Sequence, residues 1–320
     1  MAVGLEDVYA AAERIRRFVL RTPVRESPWL SSVAGAAVHL KLEAIQITSS
    51  FKLRGAFNAC LRLREEAAVV RPRLVTASAG NHGRALAVAA RALDLSATVF
   101  ISADAPRAKV DAIRGAGAEL RECRDYDEAE RQAKAHAASG HGLFISPYSH
   151  TDVIAGAATI ALEILEDVAS PSAIIVPIGG GGLISGIGTV VKALSPSTQV
   201  IGVEVAASCP FTKSLAAGRL VAIDVQPSLA DGLTGNLDPD TITLDIVRRV
   251  VDRIVVVDEG VLRRALGGVV SNEHVIVEGA GAAGPAAILA GQIHAQGNVA
   301  AVLTGANIDS STLADILRSA

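Results

Sequence analysis

Leu5, Val8, Ala12, Ile15 and Val19 recur at helical spacing and predict an amphipathic helix over 5–18. A second apolar face, Leu53, Phe57, Cys60 and Leu61, follows a polar loop rich in hydroxyls. The period then shortens. "RLVTASAGNHGRALAVAARAL" reads as a short apolar strand, a glycine turn and a helix, with "ATVFIS" as the next strand. "APRAKVDAIRGAGAEL" repeats the unit, with Pro106 at a helix start and Gly115 and Gly117 ending it. "YDEAERQAKAHAASG" is a polar helix, "GLFIS" a strand, and 152–166 a helix. "AIIVPIGGGGLISGIGTVVKAL", "QVIGVEV", "RIVVV", a helix from Asp258, "VIVEGAGAAGPAAILAG" and "VAAVLTGAN" complete the alternation. The predicted class is α/β: open, mostly parallel twisted sheets with helices on both faces.

Length changes this picture by allowing two domains, since 320 residues exceed the usual single core. No Pro/Ser linker, repeat or low-complexity segment marks a boundary. A net charge of −3, with 3% aromatic residues and no long basic run, argues against nucleic acid as a partner. Two long stretches, 168–191 and 279–308, lack Asp, Glu, Lys and Arg, but glycines and prolines interrupt both, so they read as buried core and not as membrane spans. The acidic N-terminal segment does not resemble a signal peptide, and a cytoplasmic protein is expected. The three cysteines, Cys60, Cys123 and Cys209, lie far apart, with no metal or redox spacing, and are expected to be reduced thiols.

Candidate chemistry begins with "ITSSFKLRGAFNA", which puts Lys52 at the first turn of a helix in a chain holding six Lys against 24 Arg. Arginine cannot shed its proton, whereas a desolvated lysine near a helix N-terminus can become a nucleophile or base at neutral pH. A snorkelling surface lysine is the alternative reading. Gly179, Gly180, Gly181 and Gly182 follow a buried strand and open a helix whose first turn carries no acid, a geometry suited to phosphate. A tight turn under close packing is the other possibility. "GAGAAG", Gly279 to Gly284, fits the dinucleotide pattern between a predicted strand and helix. It lacks the acid expected about 20 residues on, so it reads as a close-packed helix start. "SAGNHG", 78–83, ends a strand where its N–H groups could receive a carboxylate. No histidine pair has metal spacing, and no metal site is expected.

The order of SFK-x-RGA, S-x-GNH-G, A-P-x-x-K, GGGGL and TGAN, from "RTPV" at 21–24 to "LTGAN" at 303–307, resembles the fold-type II pyridoxal-phosphate (PLP) enzymes of the serine/threonine dehydratase and serine racemase group. The resemblance implies a tryptophan synthase β-like fold, with a large PLP-binding domain over 1–69 and 149–320 and a small domain over 70–148 inserted in it. It implies Lys52 as the lysine bonded to PLP and Phe51 as a neighbour of its ring. Asn81 would contact the 3-oxygen, Gly179–Gly182 with Leu183 the phosphate, and Thr304 the pyridine nitrogen. Ser78, Ala79, Gly80, Asn81 and His82 would receive the substrate carboxylate. The implied activity is elimination of water from a small β-hydroxy amino acid, giving a 2-oxo acid and ammonia, in a homodimer. "GLFISPYSHTDVIAGAATIALEILED" and "ADGLTGNL" are closest to the hydroxyectoine-utilisation dehydratases; threonine, serine or 3-hydroxyaspartate dehydratase is the alternative. A nucleotide-dependent oxidoreductase, resting on Gly279–Gly284, is the alternative from another class.

Three positions and the short C-terminal tail qualify the transfer. Ala79 stands where the racemases have a serine, so dehydration is expected over racemisation. Ser49 replaces the usual glycine before SFK. Pro210 stands where a cation site near Glu204 would have an acid. Only about 13 residues follow TGAN, so no isoleucine-responsive regulatory domain is expected.

Overall fold

The computed structural model describes residues 3–66 and 72–318, and the alternation resolves into two sheets. The strands are β1 (Val24–Glu26), β2 (Ala37–Lys41), β3 (Leu74–Ala77), β4 (Ala97–Ser102), β5 (Glu119–Cys123), β6 (Leu143–Phe144), β7 (Ala173–Pro177), β8 (Gln199–Val205), β9 (Arg253–Val257) and β10 (Asn298–Val302). One sheet has the order β1-β2-β10-β7-β8-β9, antiparallel only at β1–β2; the other, β5-β4-β3-β6, is wholly parallel. The second sheet is drawn entirely from Leu74–Phe144. The expected boundary at 69–70 lies outside the described residues.

Central β7 shows why such strands read as unbroken apolar runs: Ala173 and Ile175 enter one core, Ile174 and Val176 the core on the opposite face. In the smaller sheet, Leu74, Val99 and Ile101 likewise face one core, while Val75, Ala77 and Phe100 face another. The helices Lys52–Glu66 and Thr151–Asp167 cross where Gly55 meets Gly156. A Cβ on Gly55 would lie 2.7 Å from the Val153 carbonyl, so glycine lets the two backbones touch.

Two expected elements differ. The first helix spans Leu5–Ile15 and ends before 18, because Phe18 turns away to stack on Phe57 with ring centroids 4.9 Å apart. Val275–Glu278 is not a strand. Val275 and Val277 are buried and Ile276 is exposed, the period-2 alternation of a strand, but among the described residues no strand pairs with the segment. The Gly279–Leu289 helix therefore starts from a loop, and Gly279–Gly284 does not follow a strand as the dinucleotide pattern requires.

Candidate active site

Three strand ends converge at the carboxyl edges of the two sheets. Ser78 follows β3, Gly179 follows β7 and Thr304 follows β10, the places where open α/β sheets bind ligands. The loop before Lys52 is stitched to the last of these by the Ser50–Gly305 bridge and by the Phe51 N–H donating to the Thr304 carbonyl at 3.0 Å. Ser49, at the glycine position, holds φ 55°, the left-handed region that glycine tolerates best.

Lys52 is the first residue of the Lys52–Glu66 helix. Its Nζ donates to the Pro147 carbonyl at 2.7 Å and lies 5.2 Å from the Phe51 ring centroid. Part of the side chain reaches solvent, but the amine end is enclosed; burial lowers its pKa to about 8, against an opposing pull from the Glu278 charge. Two residues on, Arg54 explains the rest of the motif. It forks onto Glu43 at 2.9 and 2.8 Å and reaches Glu163 at 2.7 Å, while Lys41 bonds the other Glu163 oxygen. Removing one member of such a buried set costs about 3–5 kcal/mol, and this set anchors the turn that presents Lys52.

The tetraglycine forms a tight cup. Gly181, the N-cap of the Gly182–Leu194 helix, has φ 84° and no side chain to cap the first-turn N–H groups, which carry no acidic neighbour. Tyr148 packs its ring on Gly180 and accepts the Asp238 N–H at 3.0 Å, while Thr243 Oγ1 donates to the Gly180 carbonyl at 2.8 Å. Leu183 is buried beneath. The glycines thus serve close packing, and the first-turn N–H groups are left without a side-chain cap.

Asn81 and His82 open the Asn81–Ala92 helix. Ser78 Oγ accepts the Gly80 N–H at 3.3 Å, and Ala79 between them is half-buried. Asn81 Nδ2 donates at 2.7 Å to Glu278, a buried carboxylate whose pKa burial pushes up to about 7. Glu278 and Asn307 are the polar residues of this site that spacing did not single out. The available signal for Glu278 was its isolation, a lone acid between "VIV" and "GAGAAG", with no further acid until Asp309.

His82 is buried, its Nε2 lies 3.2 Å from the Ile145 carbonyl, and Nδ1 has no partner among the described residues. Burial, then the Lys52 charge, lowers its pKa to about 3. The unfolded chain therefore takes up a proton below about pH 6.5 that the folded chain refuses until about pH 3. Stability should fall across that window as pH drops, by up to about 1.4 kcal/mol per pH unit. Urea midpoints at pH 7, 6 and 5 should show a shallower fall for His82→Asn than for the native protein; equal falls would contradict this origin.

The groups present fit PLP. Thr304 Oγ1 is buried with no partner among the described residues, the Lys52 amine is desolvated, and the cup offers unshared N–H donors. The dinucleotide alternative fares worse. A Cβ on Gly279 would lie 2.1 Å from the Leu229 carbonyl and one on Gly281 2.7 Å from the Gly305 carbonyl, so those glycines are taken up by backbone packing. Near the doubtful cation position, Glu204 is engaged by the start of the Pro210–Ala217 helix: it accepts the Phe211 and Thr212 N–H groups, both at 2.8 Å, and Thr212 Oγ1. Among the described residues no cluster of three His, Cys, Asp or Glu is arranged for a metal, and no helix is long and apolar enough to cross a membrane.

Comparison with known proteins matches residues 15–305 to the family described as pyridoxal-phosphate dependent enzyme. The chain is similar to the L-threonine ammonia-lyase of Thermotoga maritima, 37% identical over 98% of this chain and 78% of that one. It is also similar to the catabolic L-threonine dehydratase TdcB of Staphylococcus aureus, 35% identical over 98% and 92%. Among solved structures, maize serine racemase superposes with a TM-score of 0.92 at 31% identity, covering 100% and 98% of the two chains. The T.th. threonine deaminase superposes with a TM-score of 0.87 at 36% identity, covering 96% and 99%.

Proposed function

Because the chain belongs to the pyridoxal-phosphate dependent enzymes, in the fold-type II dehydratase and racemase group, we propose that it eliminates water from a β-hydroxy amino acid, releasing a 2-oxo acid and ammonia. The observation that carries the proposal is the Lys52 amine, desolvated to a pKa of about 8 at the meeting point of the tetraglycine, Asn81 and Thr304 segments.

PLP, when bound, supplies an electron-accepting ring that acidifies the α-carbon of an attached amino acid. Lys52 would bond it covalently and, once freed by substrate, would be the base that takes the α-proton; a pKa lowered by burial to about 8 leaves far more of the amine unprotonated near neutral pH than in an ordinary lysine. Gly179–Gly182 and Leu183 would hold the phosphate, Phe51 would flank the ring, and Asn81 would donate to the 3-oxygen. Ser78, Ala79, Gly80, Asn81 and His82 hold the substrate carboxylate at a helix N-terminus. Thr304, whose buried Oγ1 has no partner among the described residues, would offer the pyridine nitrogen a neutral hydroxyl, which could not keep it protonated as a carboxylate would.

The same reading makes 70–148 a small domain inserted in a cofactor domain of 1–69 and 149–320, in a homodimer. Its finer form is a hydroxyectoine-utilisation dehydratase, with threonine, serine and 3-hydroxyaspartate as the competing substrates. Threonine is named by the similar ammonia-lyase and deaminase.

Racemisation needs an acid on the face opposite Lys52, and the Ala79 methyl has no proton to give. With each candidate substrate, 2-oxo acid should form more than about ten times faster than the D-enantiomer. Chiral chromatography beside a coupled 2-oxo acid assay measures both, and comparable rates would overturn the dehydratase assignment.

A further inference from the structure

We propose that Asn307 is a positioning residue: held at both ends of its own amide, it fixes the orientation of the Asn81 amide so that Asn81 turns N–H donors, and not its carbonyl, toward the cofactor. The inference rests on the PLP reading above and deepens it.

The orientation follows from what each group is able to do. A guanidinium only donates, and Arg84 Nη1 lies 2.7 Å from Asn307 Oδ1. Main-chain carbonyls only accept, and those of Thr48 and Ser49 lie 3.0 and 3.5 Å from Asn307 Nδ2. Turning the Asn307 amide over would set its oxygen against two carbonyls and its NH₂ against a cation. The same Nδ2 lies 2.6 Å from the Asn81 side chain, so the atom facing it there must be the acceptor, Oδ1. What remains to Asn81 is its NH₂, which donates at 2.7 Å to Glu278 Oε1, the carboxylate whose charge acts on Lys52.

Donors and acceptors thus run in one direction, Arg84 to Asn307 to Asn81 to Glu278. The left-handed Ser49 belongs to this arrangement, since its carbonyl also receives the Ala306 N–H at 2.9 Å. Without Asn307 only the Glu278 carboxylate still favours this orientation of Asn81, and the opposite one points a carbonyl at the 3-oxygen.

The test compares PLP-loaded native protein with Asn307→Asp and Asn307→Ala. The aspartate variant is isosteric and keeps an acceptor for Arg84, but it has no donor. The Asn81 oxygen then faces a carboxylate oxygen, which drives the Asn81 NH₂ toward the new carboxylate at position 307 and the Asn81 oxygen into the site against the pull of Glu278. The bound cofactor's absorbance should shift from the longer-wavelength band of the 3-oxyanion toward the shorter-wavelength band of the 3-hydroxyl form, and PLP affinity should fall about tenfold. Asn307→Ala, which releases Asn81 without inverting it, should give a smaller shift.

A native spectrum in Asn307→Asp, or an equal shift in both variants, would overturn the proposal. If Asn307→Asp does not fold, Arg84→Lys, still a pure donor, should retain the native spectrum and Arg84→Glu should shift it; identical spectra would be equally fatal. Native protein that binds no PLP at Lys52 defeats the functional reading itself. PLP held at Lys52 with no effect of these variants defeats only the role of Asn307.

Discussion

Lys52→Ala should lower 2-oxo acid formation by about 10³-fold or more while leaving the protein folded. On the proposed reading the chemical loss is twofold, because the same amine would bond the cofactor and later take the α-proton. The structural loss is small: one hydrogen bond, from Nζ to the Pro147 carbonyl, disappears together with the cost of burying an ammonium. Lys52→Arg sharpens the point. It keeps a cation that can still donate to Pro147, yet a guanidinium does not give up its proton near neutral pH, so this variant should be as inactive as alanine. Steady-state rates and thermal melting of the three proteins decide it. Substantial activity in Lys52→Arg would mean that the position supplies charge and not a nucleophile.

Gly181→Ala is expected to damage the site through its shape. The new Cβ would lie 2.4 Å from Phe211 Cζ and 3.1 Å from Thr243 Cβ, at a residue whose φ is 84°. Overpacking of this kind costs about 1–3 kcal/mol, and a left-handed non-glycine residue about 1–2 more. Movement of the cup to relieve the clash would misdirect the first-turn N–H groups from the phosphate proposed to sit there. Two lost charge-assisted hydrogen bonds weaken PLP binding by about a hundredfold or more. Gly284→Ala, in the other glycine-rich motif, is the control. Its Cβ would meet nothing closer than 3.6 Å, so stability and PLP affinity should stay near native. Equilibrium dialysis of PLP, with melting curves at saturating cofactor, measures both effects, and equal losses in the two variants would argue against the tetraglycine as the phosphate site.

What the sequence made legible was whatever one segment carries alone. The strand, glycine turn and helix around Gly179–Gly182 depend on neighbours in the chain, as does Lys52 at its helix start. Periodicity misled where burial alternates without a partner strand: Val275 and Val277 are buried, yet among the described residues no strand pairs with them, and the Glu278 N–H bonds the Gly305 carbonyl at 2.9 Å. Roles that exist only between distant segments were not readable from spacing. Glu278 meets Asn81 across 197 residues and Asn307 meets Asn81 across 226, and no local pattern announces either pairing. Ser49 sits between these cases. The sequence showed it as a departure, and the left-handed backbone shows why glycine is the usual occupant.

The central claim is that Lys52 holds the cofactor covalently. It is tested most directly by an absorption spectrum of the purified, PLP-equilibrated protein before and after borohydride reduction, followed by peptide mapping. The account predicts a cofactor band that reduction abolishes and a pyridoxyl group fixed on the peptide containing Lys52. A featureless spectrum that stays featureless in excess PLP, or a label on another lysine, would contradict it.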